Sequence, residues 1–271
     1  LEMLISMSSI KAIEYAFPDN ALTVEQLHKL YPEWSVKKIE SKTGISKIYY
    51  VDENECASDL GVKAAEKLFA TGAVKRNDID CLILCTQSPD YFLPSTSCIM
   101  QDRLRLPTRS AAFDINLGCS GYIYGVGLAK GMIETSQANH VLLITSETYS
   151  KYIQPEDKSV KTIFSDGAAA TLISGENLEN STIGPFVYGT DGSGFENLIV
   201  SDGGMRNLNN KDRSCNIITN GLTMKGPELF NFTLNAVPKL INQLFDKSKL
   251  CMDDIDYFVF HQANKFMLES L

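Results

Sequence analysis

Histidine and tryptophan are scarce in this chain: three histidines (His28, His140 and His261) and one tryptophan occur in 271 residues. No histidine is spaced with cysteines or carboxylates as ligand sets usually are, so no metal site is expected. Long apolar runs are missing as well. None approaches the roughly 18 residues that a membrane helix needs, and Leu1 to Ile13 lacks the charged start and long apolar stretch of a signal peptide. A cytoplasmic protein without a membrane partner is the expectation. Basic charge is in deficit, with 25 Lys and Arg against 33 Asp and Glu and a formal net charge of −8. That balance argues against a general nucleic-acid binder, while leaving room for a local basic patch. Disulfide patterning is also lacking, since the seven cysteines at 56, 81, 85, 98, 119, 215 and 251 form neither a framework nor a CxxC pair. Reduced thiols are the default.

What is present is an ordinary globular composition, 44% hydrophobic and 21% charged, long enough for one large domain or two smaller ones. Helix-like and strand-like segments alternate. The spacing of Leu60, Ala64 and Leu68 predicts a helix over 57–71, another is predicted over 96–104, and 81–85 and 141–145 read as buried strands. Such alternation predicts an α/β fold whose mainly parallel sheet is covered by helices. Gly, Asp, Asn and Ser concentrate the predicted loops between 190 and 220.

One comparison within the chain sharpens this expectation. EKLFATGAVKRNDIDCLILCTQ at 66–87 aligns without a gap to NQLFDKSKLCMDDIDYFVFHQA at 242–263, at an offset of 176 residues. Asp78-Ile79-Asp80 recurs as Asp254-Ile255-Asp256, each time before an apolar run read as a strand. The match predicts two similar halves, 1–179 and 180–271. The first half runs on to about Gly175, so a full second copy would need about 80 residues more than this sequence holds.

DINLGCSGYIYG at 114–125 is where a polar strand end turns into an apolar helix. A strand is predicted over 110–116 and a helix over 122–134, with apolar positions at Ile123, Val126, Met132 and Ile133. Cys119 is thereby expected at the first turn of the helix. Unpaired N–H groups and the positive dipole end there favour thiolate over thiol, and the thiolate is the nucleophile. Gly118 and Gly121 would allow close approach of another backbone or of a substrate. The stretch alone leaves a nucleophile and a small packed thiol both open. His261 ends the strand predicted for the second copy, where the first copy has Cys85, and it too can be structural or catalytic. Strand C-termini in α/β folds are where ligands gather.

Several motifs in order resemble those of the 3-oxoacyl-acyl-carrier-protein synthase III family, condensing enzymes of the thiolase superfamily. They are Lys42-Thr43-Gly44-Ile45, Pro94-Ser95, DINLGCSG around Cys119, Phe164-Ser165-Asp166-Gly167-Ala168-Ala169, Asp191-Gly192-Ser193, Met224-Lys225-Gly226 with Phe230, and His261-Gln262-Ala263-Asn264. The resemblance runs through essentially the whole chain. It implies a thiolase-like duplicated α/β fold with layers αβαβα, the second half incomplete here. The N-terminal half would carry the nucleophilic Cys119 and the partial C-terminal half the catalytic His261.

By the same resemblance, Cys119 takes an acyl group from an acyl-CoA as a thioester and His261 assists decarboxylation of malonyl-acyl-carrier protein. The carbanion then attacks the thioester to give a 3-oxoacyl product. Lys42, Thr43, Leu93, Phe164, Met224, Gly226, Ala263 and Asn264 are implied as substrate-binding residues, with acyl-CoA and acyl-carrier protein as partners, a homodimer as the assembly, and no cofactor. Lys247, Lys249 and Lys265 are the implied basic patch for the carrier protein. A catalytic asparagine downstream of the histidine and a glycine-rich loop, which complete the family's site, would lie beyond Leu271. Trp34, displaced from the family's position near the Lys42 motif, reads equally as an adenine-stacking or a packed aromatic.

Three other functions use the same residues. Another thiolase-superfamily synthase could do so, whether a hydroxymethylglutaryl-CoA type, a polyketide or quinolone starter enzyme or an ester-forming acyltransferase. A hydrolase with a G-x-C-x-G elbow is disfavoured by Leu117 in the first glycine's place. An inactive partner subunit would keep Cys119 as a packed thiol.

Overall fold

The computed structural model describes residues 7–176, 182–207 and 221–271. The expected boundary at 179/180, Cys215 and residues 208–220 of the expected loop lie outside them. The strands are β1 (Met7–Ala16), β2 (Asn20–Thr23), β3 (Lys47–Tyr50), β4 (Cys81–Cys85), β5 (Ala111–Ile115), β6 (His140–Glu147), β7 (Gly167–Glu176), β8 (Leu198–Val200) and β9 (Leu222–Met224). The helices are α1 (Val24–Leu30), α2 (Val36–Thr43), α3 (Ala57–Ala70), α4 (Thr96–Arg103), α5 (Gly121–Glu134), α6 (Lys158–Lys161), α7 (Gly226–Ser248) and α8 (Lys265–Leu268).

Two compact units divide the chain, and they interleave. One comprises 1–20, 49–148 and 166–184, the other 21–48, 149–165 and 185–271. Compactness therefore groups the chain differently from the halves 1–179 and 180–271 expected from the repeat.

The first unit is a five-stranded sheet in the order β1-β7-β6-β4-β5. β4 runs parallel to both β5 and β6, while β7 is antiparallel to β6 and β1. Every residue of β4 is buried, as its unbroken apolar run requires of a central parallel strand. Strand alternation sends Leu82, Leu84, Leu142 and Ile144 to one face, where they form a core with Leu60, Ala64 and Leu68 of α3. Leu143 points to the other face, toward α5. A Cβ on Gly125 of that helix would lie 2.5 Å from Leu143 Cδ1, so the helix presses on the sheet where glycine leaves room.

Asp114, near the end of β5, starts α4 from a distance in sequence. Its Oδ2 accepts from Thr96 N at 2.7 Å and its Oδ1 from Ser97 N at 2.8 Å. A carboxylate there satisfies two of the donors that a helix start leaves unpaired and complements the dipole. Asp166 has a comparable tie, its buried Oδ2 accepting from Val51 N at 2.8 Å, which gives the Ser165-Asp166-Gly167 motif a structural role.

In the second unit, Trp34 is buried with Leu27 and Ile48 and stacks on Tyr31 at 4.1 Å between ring centroids. It is a packed aromatic. The long helix α7 ends at Lys249, whose left-handed backbone closes it. A 3-10 turn over Met252–Asp254 follows, the counterpart at the 176-residue offset of the turn over Arg76–Asp78. The strand expected over 257–261 does not form: Tyr257 and Val259 are 86% and 91% exposed, and the segment enters no ladder among the described residues. A strand is defined by its paired neighbours, and an apolar run alone does not supply them.

Candidate functional site

Cys119 stands on the turn between β5 and α5. The turn is closed by Gly121 N donating to Gly118 O at 2.8 Å, and Ser120 is the cap of α5. Cys119 thus precedes the cap and lies outside the first helical turn where it was expected. Below it, Cys85 Sγ donates to Leu117 O at 3.0 Å. A Cβ on Gly121 would sit 2.1 Å from that sulfur, so the close approach anticipated for this glycine is made by the Cys85 side chain.

Activation of the thiol by the helix start, expected from the sequence, is opposed by the protein around the sulfur. Cys119 has solvent access, but the protein packed around it raises its pKa, first through desolvation and then through the negative charge of Glu147. A hydrogen bond from its own backbone amide pulls the other way, less strongly than desolvation but more strongly than Glu147. Burial pushes Cys81 up to about 12 and Cys85 up to about 11, leaving both inert. Cys98 and Cys251 are exposed, so Cys119 is not singled out by accessibility alone.

His261 is also solvent-accessible, on the unpaired segment that leads into α8. Surrounding protein nevertheless lowers its pKa by desolvation. An imidazole that is neutral at pH 7 still carries one N–H to donate.

The second unit gathers motifs that are far apart in sequence. Gly44, left-handed at φ 73°, caps α2, and a Cβ on it would meet Lys265 Cβ at 3.1 Å. Thr43, Gly44 and Ile45 thereby line one groove of about 500 Å³ with Gln262, Asn264 and Lys265. Lys42 occupies the last turn of α2 beside it. Asn264 caps α8 through Oδ1, which accepts from Met267 N at 2.8 Å, and Ala263 N donates to His261 O at 3.0 Å. Met224 ends β9, and Gly226 opens α7 with free space where a Cβ would be. Phe230 stacks on Phe266 at 5.2 Å, tying α7 to α8. Phe164 packs on Tyr149 at 5.2 Å. Leu93, in the first unit, is 82% exposed beside Tyr91 and Phe92, also exposed.

The basic residues are partly engaged. Lys247 Nζ donates to Phe186 O at 2.9 Å, and Lys265 lies 3.6 Å from Glu269. Sequence reasoning missed the roles of two carboxyls: Asp114, which holds the start of α4 and whose place in the DINLGC motif was its only signal, and Glu147, which acts on Cys119 and gave none.

The family model for 3-oxoacyl-[acyl-carrier-protein] synthase III matches residues 113–192. A beta-ketoacyl-[acyl-carrier-protein] synthase III of Clostridioides difficile is 36% identical over 247 residues, covering 91% of this chain and 73% of that protein. The crystal structure of a 3-oxoacyl-(acyl-carrier-protein) synthase III, 46% identical, superposes with a TM-score of 0.92 over 97% of this chain and 81% of that one. A 3-oxoacyl-(acyl-carrier protein) synthase from Burkholderia xenovorans, 34% identical, gives 0.86 over 98% and 76%.

Proposed function

Because the chain belongs to the 3-oxoacyl-acyl-carrier-protein synthase III family, condensing acyltransferases of fatty acid biosynthesis with a thiolase-like fold, we propose that its chemistry divides between Cys119 and His261. Cys119 Sγ attacks the carbonyl of an acyl-CoA, coenzyme A leaves as its thiol, and the acyl group remains as a thioester. Malonyl-acyl-carrier protein then loses carbon dioxide, and the carbanion attacks the thioester carbonyl, expelling the Cys119 thiolate to give the 3-oxoacyl product. A thiolate suits both roles, as nucleophile and as leaving group. The neutral ring favoured at His261 can donate to the enolate oxygen that develops as carbon dioxide departs.

The groove beside Thr43 and Asn264 serves the coenzyme and carrier arm, with Lys42, Phe164, Met224, Gly226 and Ala263 as its further contacts. Leu93 bounds the acyl pocket of a partner subunit. No cofactor is required. The protein works in the cytoplasm as a homodimer paired through first-half strands; β5, only partly buried at one edge of the sheet, supports pairing there.

The accessible Cys119 at the β5–α5 turn carries this reading. Incubation with a short acyl-CoA should leave one acyl group on Cys119, detectable by peptide mass mapping and absent from Cys119→Ala. A label on Cys98 or Cys251 instead would reject the assignment.

A further inference from the structure

Glu147, the last residue of β6, is a carboxyl set among uncharged donors. Its Oε1 accepts from Gln87 N at 2.8 Å, and its Oε2 accepts from Ser88 Oγ at 2.7 Å and, weakly, from Thr86 Oγ1 at 3.5 Å. Ser88 Oγ accepts in turn from Thr148 N at 2.8 Å, and Thr86 Oγ1 accepts from Ser88 N at 3.0 Å. The carboxyl therefore ties the end of β6 to the loop leaving β4. That loop starts at Cys85, whose thiol holds the Cys119 turn through Leu117 O. β4 and β6 are parallel neighbours that put Cys85 beside Thr145, two residues before Glu147. The titratable groups facing the carboxyl are Cys85 from β4 and Cys119 from the β5–α5 turn, and no ion pair to it exists among the described residues.

We propose that Glu147 is a positioning residue for acylation: one carboxyl clamps the loop after β4 and places ionisable charge beside the turn that carries Cys119. Burial pushes this carboxyl up to about 7, against the pull of its hydrogen bonds. It therefore changes charge near neutral pH. Once charged, it opposes the thiolate of Cys119; while neutral, it keeps its hydrogen bonds without that repulsion. The clamp and the electrostatic brake are the same group.

The inference rests on Cys119 being the acylated thiol, but its test uses iodoacetamide, so the two can fail separately. Alkylation of Cys119 is followed by peptide mass spectrometry from pH 6 to 10, with exposed Cys98 and Cys251 as internal references. Glu147→Gln keeps the side chain's reach and removes its charge. It should alkylate Cys119 about three- to ten-fold faster at pH 8, as one nearby charge removed at an intermediate effective dielectric predicts. Glu147→Asp keeps the charge and shortens the reach, and should show no such acceleration. An unshifted profile in Glu147→Gln, or equal acceleration in both variants, overturns the proposal. If Glu147→Gln does not fold, Ser88→Ala replaces it. Loss of that donor keeps Glu147 neutral to higher pH, so Cys119 should react faster than in wild type near pH 7; an unchanged rate there overturns the proposal equally.

Discussion

Residues 66–87 and 242–263 share a local structure and differ in what surrounds it. Asp78 N donates to Lys75 O at 3.0 Å and Ile79 N to Arg76 O at 3.2 Å; at the 176-residue offset, Asp254 N donates to Cys251 O at 3.1 Å and Ile255 N to Met252 O at 3.2 Å. The same turn is built twice from different residues around a shared Asp-Ile-Asp. Beyond it the copies part. Cys81–Cys85 is a fully buried strand between two parallel neighbours, whereas 257–261 is extended, exposed and unpaired among the described residues. A 3-10 turn is decided by a few adjacent residues, but a strand needs partners from elsewhere in the chain.

The largest expected effects separate the two copies by chemistry. Cys119→Ala should abolish acyl transfer while keeping some malonyl decarboxylation. His261→Ala should lose decarboxylation by about a hundred-fold or more while still forming the acyl-enzyme. Acylation and carbon dioxide release are measured separately. Loss of acylation in His261→Ala with decarboxylation intact would make the histidine a base for the thiol, and the condensing assignment would then have to go.

A second comparison is one of stability. Ile83 and Val259 are equivalent at the offset, one fully buried and the other 91% exposed. In denaturant unfolding of this chain, Ile83→Ala should cost about 2–5 kcal/mol and Val259→Ala less than about 0.5 kcal/mol. Similar costs would mean that 257–261 is packed as β4 is.

Third, the first copy carries a titratable liability. The folded pKa of Glu147, about 7, lies above its ordinary 4.5, so the folded state holds the proton more tightly. Stability from this group is greatest below the ordinary value and falls as pH rises toward 7, by at most about 3 kcal/mol. Relative to wild type, Glu147→Gln should therefore gain thermal stability between pH 5 and pH 8; a constant difference across that range would show that the carboxyl does not titrate there.

The smallest effect concerns charge. The offset pairs Lys247 and Lys249 with Thr71 and Ala73, so these two lysines have no basic counterpart at the matching positions of the first copy. Reversing both lysines to Glu should raise KM for malonyl-acyl-carrier protein a few-fold and leave acyl-CoA nearly unaffected. Equal changes for both substrates would remove these residues from carrier docking.

These contrasts also mark what the sequence could disclose. Apolar periodicity placed α3, β4, α4, β5, α5 and β6 to within a few residues, because each is long enough to carry its own pattern. The Cys119 turn was legible for the same reason. What stayed hidden depends on residues distant in sequence: Asp114 holding Thr96 and Ser97, and Glu147 adding its charge beside Cys119. The helix-start argument counted the dipole of α5 and not the opposing desolvation and carboxylate, to which other elements contribute.

Cys85 and Gly121 occupy one shared volume, since a side chain at 121 would begin 2.1 Å from the sulfur. The two positions are therefore not free to vary singly. A library that randomises the nucleophile's turn while fixing position 85 would return glycine at 121 whatever substrate it selects for. Letting Cys85 shrink to glycine in the same library would open positions on α5 to redesign from beneath the nucleophile, without touching the nucleophile itself.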